Sequence, residues 1–446
     1  MKTDASPRAL GWLLAVLVFS LCLGAQVALA SLGGLAIRPY LPLLLIAALL
    51  IASRIARDGY LPPVPAKGSV TALGVLLMAA LLSIFNAEYA TKAVTQTIYL
   101  TGMIGIYAVL LYAQLGRQDL RRIGLAILWS LAAAVLFGFI HSALEYSRSG
   151  NVLFAFAQFR SFFEERNEFG IFMVYGAGFL LPFALNDDAP ARYKILFALT
   201  VCALLLNFSR GSLLALAVMV AVDRLGAGRL FSARRTRRSL VVLAATGLIA
   251  VSGIFMTLPA VVRLGDFLDV FSTRSVGFSV RSDETTSIRL LFIQTAGRAF
   301  LAHPIVGGGI GNAGNILNQY GRGADYGTVI LQGAVQPPVY ALGTTSNLVA
   351  DLLMETGLLG FLAFAFFLVA VFRASVAQGK AEDEIGLLHT GAILSLLGVL
   401  VNGLSYNSIF LPFTWVSLAL APLTAAWLRA VPRVPNRPGA PVSSIA

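Results

Sequence analysis

Two arginines stand where the surrounding residues favour binding of an anion. Arg210 lies in the segment NFSRGS (207–212), directly before an apolar run, and Arg289 lies in the amphipathic segment SIRLLFIQ (287–294). A guanidinium group near a membrane interface is unfavourable unless it pairs, snorkels or meets an anion. Arg210 therefore has two interpretations, a snorkelling anchor beside a Ser209 cap or a phosphate ligand at a helix start.

Three polar side chains recur every four residues at the start of a later apolar run. Asn347, Asp351 and Glu355 share one face of a predicted helix. Acidic side chains inside an apolar span are rare and usually face an interior or a wet cavity. The spacing therefore indicates a functional group of carboxylates, with structural pairing as the alternative.

A glycine-rich segment, AHPIVGGGIGN (302–312), follows Arg289. No strand precedes it and no Gly-Lys-Ser/Thr sequence follows, so a nucleotide-binding loop is weakly supported and a turn after a helix is favoured. His303 precedes Pro304, which favours a structural role at a helix end over catalysis. The two cysteines, Cys22 and Cys202, each lie inside a predicted span and in no Cys-x-x-Cys or Cys/His arrangement, so they predict neither a disulfide framework nor a zinc site.

These residues lie in a chain whose composition predicts a membrane protein. Apolar residues make up 58% of the 446 positions and charged residues 12%, which is far from the balance of a soluble domain. The apolar residues form runs of about 20, the length that crosses a bilayer as an α-helix. We predict an all-α, polytopic fold of twelve spans at 9–30, 39–53, 69–86, 94–115, 123–144, 169–186, 194–208, 211–226, 239–260, 347–372, 385–404 and 409–429.

The basic residues predict how the chain is oriented. With a cytoplasmic N-terminus, 21 of the 33 Lys and Arg residues fall in cytoplasmic segments, as the positive-inside rule requires. Both termini are then cytoplasmic, and 261–346 becomes one large folded periplasmic loop. The basic residues lie in short tethers between helices, which favours membrane lipids over nucleic acid as partners. The N-terminus resembles a secretory signal, but its apolar run is long, so we expect an uncleaved first span.

Four segments in order resemble the O-antigen ligase and polymerase superfamily of bacterial envelope glycan enzymes. They are ERNEFG (165–170), FSRG (208–211), Arg289 with 302–312, and Ser346-Asn347 spaced to ETGLLG (355–360). The resemblance covers about residues 150–372. It divides the chain into N-terminal helices 1–150, a ligase- or polymerase-like core 151–372, C-terminal helices 373–430 and a disordered cytoplasmic tail 431–446.

The resemblance implies an inner-membrane enzyme that moves a glycan from undecaprenyl diphosphate to an acceptor hydroxyl on the periplasmic side. The acceptor is lipid A-core for a ligase and another lipid-linked glycan for a polymerase. No metal, nucleotide sugar or other cofactor is expected. By the same matching, Arg210 and Arg289 hold the diphosphate, and the further candidates for substrate binding are Arg166, Asn167, Arg281, His303 and Asn347.

One position departs from the ligase pattern. Where the family's ligases have histidine before the asparagine, this chain has Ser346, although the spacing from Asn347 to Gly357 is intact. A serine hydroxyl cannot accept a proton near neutral pH as imidazole does. Asp351, Glu355 or His303 then serves the acceptor, or positioning and diphosphate stabilisation suffice, or the chain is inactive. The missing histidine favours a polymerase over a ligase, and a lipid-glycan transporter or an inactive scaffold are the alternatives of another class.

Overall fold

The computed structural model describes the following residues: 8–23, 27–32, 35–150, 161–163, 165–207, 209–224, 282–320, 345, 347–376 and 384–430. Within them the chain is almost entirely helical, as the apolar runs predict. The helices are α1 (Arg8–Ser20), α2 (Tyr40–Asp58), α3 (Lys67–Ser83), α4 (Ala90–Tyr112), α5 (Arg117–Ser149), α6 (Arg166–Ala184), α7 (Ala191–Asn207), α8 (Arg210–Arg224), α9 (Ser282–Ala302), α10 (Ala313–Tyr320), α11 (Leu348–Ala374), α12 (Glu384–Gly403) and α13 (Pro412–Ala430).

The multi-pass character of the protein is confirmed. Seven of the described helices are long and apolar enough to cross a bilayer, namely α2, α3 with its 3-10 extension to Asn86, α4, α5, α6, α11 and α12. The predicted spans at 194–208 and 211–226 correspond to the shorter helices α7 and α8. The predicted span at 239–260 and the tail at 431–446 lie outside the described residues, so the count of twelve stays a prediction.

The first predicted span, 9–30, is wrong at its end, because the described residues 27–30 are not helical. Helix α1 ends at Ser20 and continues as a 3-10 turn to Leu23. Strand β1 (Ala30–Leu32) then pairs antiparallel with β2 (Leu35–Ile37), with Leu32 opposite Leu35. The sequence between the strands is Gly-Gly, a pair typical of two-residue hairpin connections, and the first strand of this hairpin begins at the last residue of the predicted span.

The core of the bundle lies where α11, α4 and α13 meet. The ring of Tyr107 on α4 packs edge-on against Phe367 of α11, with centroids 5.1 Å apart, and against Trp415 of α13. All three side chains are fully buried. Helix α12 packs against α6, α8 and α13, so the C-terminal helices lie inside the bundle.

The described part of the predicted periplasmic loop is folded against α11. Helix α9 packs on α10 and α11 through a separate apolar cluster that includes Phe292, Ile316, Leu317 and Met354. This packing fixes the segment that carries Arg289 beside the helix that carries Asp351 and Glu355.

Candidate functional site

The loop between α12 and α13, residues 404–411, holds the beginning of α11 in place. The carbonyl of Leu404 accepts from Asn347 Nδ2 at 3.0 Å, while Asn347 Oδ1 caps α11 by accepting from the Ala350 amide. Asn407 Nδ2 donates to Asp351 Oδ2 at 2.8 Å, and the Thr345 amide donates to Asp351 Oδ1 at 2.8 Å. Both oxygens of this buried carboxylate are therefore engaged in structural hydrogen bonds.

The same end of α12 and the same loop also contact α8 and α6. Asn402 Nδ2 donates to Ser212 Oγ at 2.8 Å, and Ser212 Oγ donates to Ser209 Oγ at 2.9 Å. The Tyr406 hydroxyl donates to Glu168 Oε1 at 3.4 Å. Burial and the neighbouring carboxylate of Glu168 raise the pKa of the Tyr406 phenol, which keeps it a neutral hydrogen-bond donor. The starts of α6, α8 and α11 thus meet at one end of the bundle, which we call the motif end.

Close packing at the motif end explains two glycines in the sequence motifs. A Cβ atom on Gly170 would lie 2.6 Å from Ser212 Oγ. A Cβ atom on Gly211 would overlap Ser405 Oγ and lie 3.3 Å from Asn402 Oδ1. The glycines of ERNEFG and FSRG therefore allow α6 and α8 to approach each other and the end of α12.

The arginines predicted to bind diphosphate are only partly located. Arg210 is the first residue of α8, at the motif end, and its side chain is exposed. Arg289 lies on α9 and Arg166 is the first residue of α6, followed by the half-buried Asn167. Arg281 and Ser346 lie outside the described residues. The convergence of Arg210 and Arg289 on one anion therefore stays a prediction.

Helix α11 is broken at Gly357, a feature that sequence periodicity did not predict. Gly357 has φ 65° and ψ −165°, a backbone conformation that essentially only glycine adopts. In a regular helix the amides of Leu358 and Leu359 would donate to the carbonyls of Met354 and Glu355. The break leaves all four of these backbone groups without their helical partners.

Residues 304–312, here called the glycine loop, supply the missing partners. The amides of Gly308 and Gly309 donate to the carbonyls of Met354 and Glu355 at 2.8 and 3.0 Å. The carbonyls of Pro304 and Ile305 accept from the amides of Leu358 and Leu359 at 2.8 and 3.1 Å. The loop therefore completes the hydrogen bonding of α11, and these two glycine amides are not available to cradle a phosphate.

The opposite side of the glycine loop contacts the connection between α3 and α4. Asn86 Nδ2 donates to the Gly307 carbonyl at 2.9 Å, and the Tyr89 amide donates to Asn312 Oδ1 at 3.2 Å. Gly309 has φ 106°, and a Cβ atom there would lie 2.5 Å from Ala87 Cβ. The loop is thus held on both sides, as a structural clamp between α11 and the N-terminal helices.

Glu355 and His303 also make contacts that fix local structure. Glu355 is 5% exposed, and its Oε1 accepts from the Ala313 amide at 3.2 Å, which ties the start of α10 to α11. His303 Nε2 lies 3.0 Å from the Tyr320 hydroxyl, so the imidazole joins the ends of α9 and α10.

Sequence reasoning missed the polar residues where predicted span eleven ends. Asn402, Tyr406 and Asn407 donate hydrogen bonds to α8, α6 and α11, yet none of them is among the predicted site residues. A signal was present, because four polar or amphipathic side chains fall within the six positions 402–407, namely Asn402, Ser405, Tyr406 and Asn407.

A comparison with protein families matches a segment that carries three of the four sequence motifs, all except ERNEFG. Residues 195–365 match the family model described as O-antigen ligase. The matched segment begins in α7, includes Arg210, Arg289 and the glycine loop, and ends in α11. Among curated proteins, none gives a significant match to the chain. Over residues 195–365 this multi-pass membrane protein is therefore similar to the O-antigen ligase family, which supports the resemblance to the O-antigen ligase and polymerase superfamily.

Proposed function

We propose that the protein transfers an oligosaccharide or polysaccharide from undecaprenyl diphosphate to an acceptor hydroxyl at the periplasmic face of the bacterial inner membrane. The meeting of separate motifs at one end of the bundle carries this proposal. The starts of α6, α8 and α11 are far apart in sequence, yet the 404–411 loop and the end of α12 contact all three. A site built from several helices at one end suits chemistry at a membrane surface, whereas a transporter places its site near the bilayer midplane.

The proposed reaction is a displacement at the anomeric carbon of the donor sugar. The acceptor oxygen forms a bond to that carbon, the bond from carbon to the diphosphate oxygen breaks, and undecaprenyl diphosphate departs. The hydroxyl proton passes to solvent or to the departing diphosphate. Negative charge accumulates on the leaving group, and the planar guanidinium groups of Arg210 and Arg289 stabilise it through paired hydrogen bonds.

We assign the buried acids of α11 to positioning instead of proton transfer. Both oxygens of Asp351 accept structural hydrogen bonds, and Glu355 anchors the start of α10. Asn347 similarly uses both ends of its amide to cap α11 and to hold Leu404. These contacts favour a mechanism in which orientation and diphosphate stabilisation supply the rate enhancement.

Within this reaction class we favour a polymerase that joins lipid-linked repeats. The reason is the serine at position 346, where the ligases of the family have histidine. A ligase that attaches the glycan to lipid A-core is the alternative, and the two differ only in the acceptor.

Gel analysis of surface polysaccharide in a deletion strain tests the proposal. Glycan reduced to single repeats supports a polymerase, whereas full-length chains that remain on the lipid carrier support a ligase. Complementation with the unmodified gene is the control. Unchanged glycan in every fraction contradicts both assignments.

A further inference from the structure

Arg38 occupies an electrostatically unusual position in the N-terminal half, to which the sequence motifs assigned no role. It follows the β1–β2 hairpin and immediately precedes α2, and its guanidinium carbon lies 5.8 Å from the centroid of the Tyr99 ring. Among the residues that the structure describes, no carboxylate lies within ion-pair distance of Arg38. Among those residues, its positive charge faces only the aromatic ring of Tyr99.

Two buried polar atoms at this place have no hydrogen-bond partner in the part of the chain that the structure describes. They are Arg38 Nε and the hydroxyl oxygen of Tyr40. The Tyr40 side chain is 3% exposed, and its hydroxyl lies beside the Arg38 guanidinium without a well-formed hydrogen bond. A buried polar group without a partner costs about 1–3 kcal/mol, so such groups in a native protein usually serve a ligand or an ordered water.

The helix that begins here adds further positive potential. The N-cap of α2 is Pro39, which makes no side-chain capping bond. Pro39 and Pro42 carry no N–H and the Leu41 amide donates to the Arg38 carbonyl at 3.0 Å, so the positive potential comes from the dipole of the whole helix and not from a row of free amides. A cation next to this end of the helix is destabilising unless an anion is also present. Arg38 and the start of α2 are thus two positive groups facing one place, and an anion would stabilise both.

The length of α2 places this site at the level of lipid phosphates. The helix has 19 residues, which corresponds to about 28 Å, close to the hydrocarbon thickness of about 30 Å. Its ends therefore lie near the two headgroup layers. The hairpin before it is held in position, because the Ala36 amide donates to the Tyr99 hydroxyl at 3.0 Å. A guanidinium group whose Nε is buried in such a framework is a fixed group and not a freely snorkelling anchor.

We propose that Arg38 and Tyr40 form a binding site for the phosphate group of a membrane lipid. The guanidinium and the phenol both donate to phosphate oxygens, and the start of α2 adds its positive potential. Tyr99, whose ring faces Arg38, lies one helical turn along α4 from Gln96. Gly311 of the glycine loop packs against Gln96. A lipid held by Arg38 is therefore adjacent to the clamp described above. The proposal does not depend on the transferase assignment.

Binding of defined lipids to the full-length protein in detergent, followed by native mass spectrometry, tests the site. The probes are phosphatidic acid and diacylglycerol, which share acyl chains and differ in the phosphate. We expect Arg38→Gln to weaken phosphatidic acid binding by about ten- to hundredfold, as for the loss of a charged hydrogen bond. We expect Tyr40→Phe to weaken it by a few-fold, and Arg38→Lys to retain part of the affinity. Arg54→Gln is the matched control, because Arg54 lies at the other end of α2 and pairs with Asp58.

Competition with undecaprenyl diphosphate distinguishes the source of the phosphate. If undecaprenyl diphosphate displaces phosphatidic acid at a concentration far below that of phosphatidic acid, the glycan carrier is the ligand. If the two lipids bind with similar affinities, the site is a general headgroup site. Equal binding of diacylglycerol and phosphatidic acid by the unmodified protein overturns the proposal. The proposal is also overturned if well-folded Arg38→Gln and Tyr40→Phe proteins both bind phosphatidic acid as the unmodified protein does. If Arg38→Gln does not fold, Arg38→Lys takes its place in this comparison. Glycan transfer is measured separately, so a failure of this site and a failure of the transferase proposal are distinguishable.

Discussion

Substitution of Glu355 distinguishes a positioning role from a role in proton transfer. Its Oε1 accepts a hydrogen bond from the Ala313 amide at 3.2 Å. The side-chain oxygen of glutamine can accept the same bond, so Glu355→Gln keeps this anchor and loses at most the extra strength that a negative charge provides. A hydrogen bond to a charged group contributes about 1.5–3 kcal/mol and a neutral one about 0.5–1.5 kcal/mol. The difference, about 1 kcal/mol, predicts transfer within about tenfold of the unmodified rate.

Removal of the whole anchor has a larger expected effect. Glu355→Ala should lower transfer about ten- to hundredfold, because the start of α10 loses its contact with α11. The assay is the rate of glycan transfer by purified protein, normalised to correctly inserted protein. Loss of a general base would instead lower the rate about 10²- to 10⁴-fold in both variants. A Glu355→Gln protein that inserts normally and is as inactive as Glu355→Ala would refute the positioning role.

Two further predictions concern the break in α11 and the arginines. Gly357→Ala should destabilise the protein by about 1–3 kcal/mol, because its backbone conformation excludes a side chain. Thermal unfolding measures this, and Gly297→Ala, whose added Cβ atom meets open space, should leave stability unchanged or slightly raised. Arg210→Ala and Arg289→Ala should each lower glycan transfer about ten- to hundredfold, with partial rescue by lysine. Arg234→Ala, on the predicted cytoplasmic side, should transfer glycan at the unmodified rate.

The sequence predicts the helices well because crossing a bilayer imposes one dominant constraint, a long apolar run. It fails at the end of the first span, where strand β1 begins at Ala30 and pairs with β2, a hairpin that hydropathy alone does not indicate. It also fails at Gly357, because the break depends on partners more than 40 positions earlier in the chain. No local propensity can indicate that the glycine loop completes the hydrogen bonds of α11.

The candidate site is predictable in its motifs but not in their connections. Helix starts and interfacial arginines can be recognised from residue types and spacing, which is how Arg210 and the face carrying Asp351 were found. The role of Tyr406 and Asn407 depends on the tertiary approach of α12 and α13 to three other helices. Such contacts between distant segments leave little trace in a single sequence.

Reaction of the purified protein with a lipid-linked glycan tests the central claim most directly. The protein is reconstituted in vesicles with undecaprenyl-diphosphate-linked glycan and an acceptor glycan, without an energy source. We predict a new glycosidic bond, detected as a longer glycan, together with release of undecaprenyl diphosphate in equal amount. Movement of the glycan across the vesicle membrane without any covalent change would contradict the account and would identify a transporter.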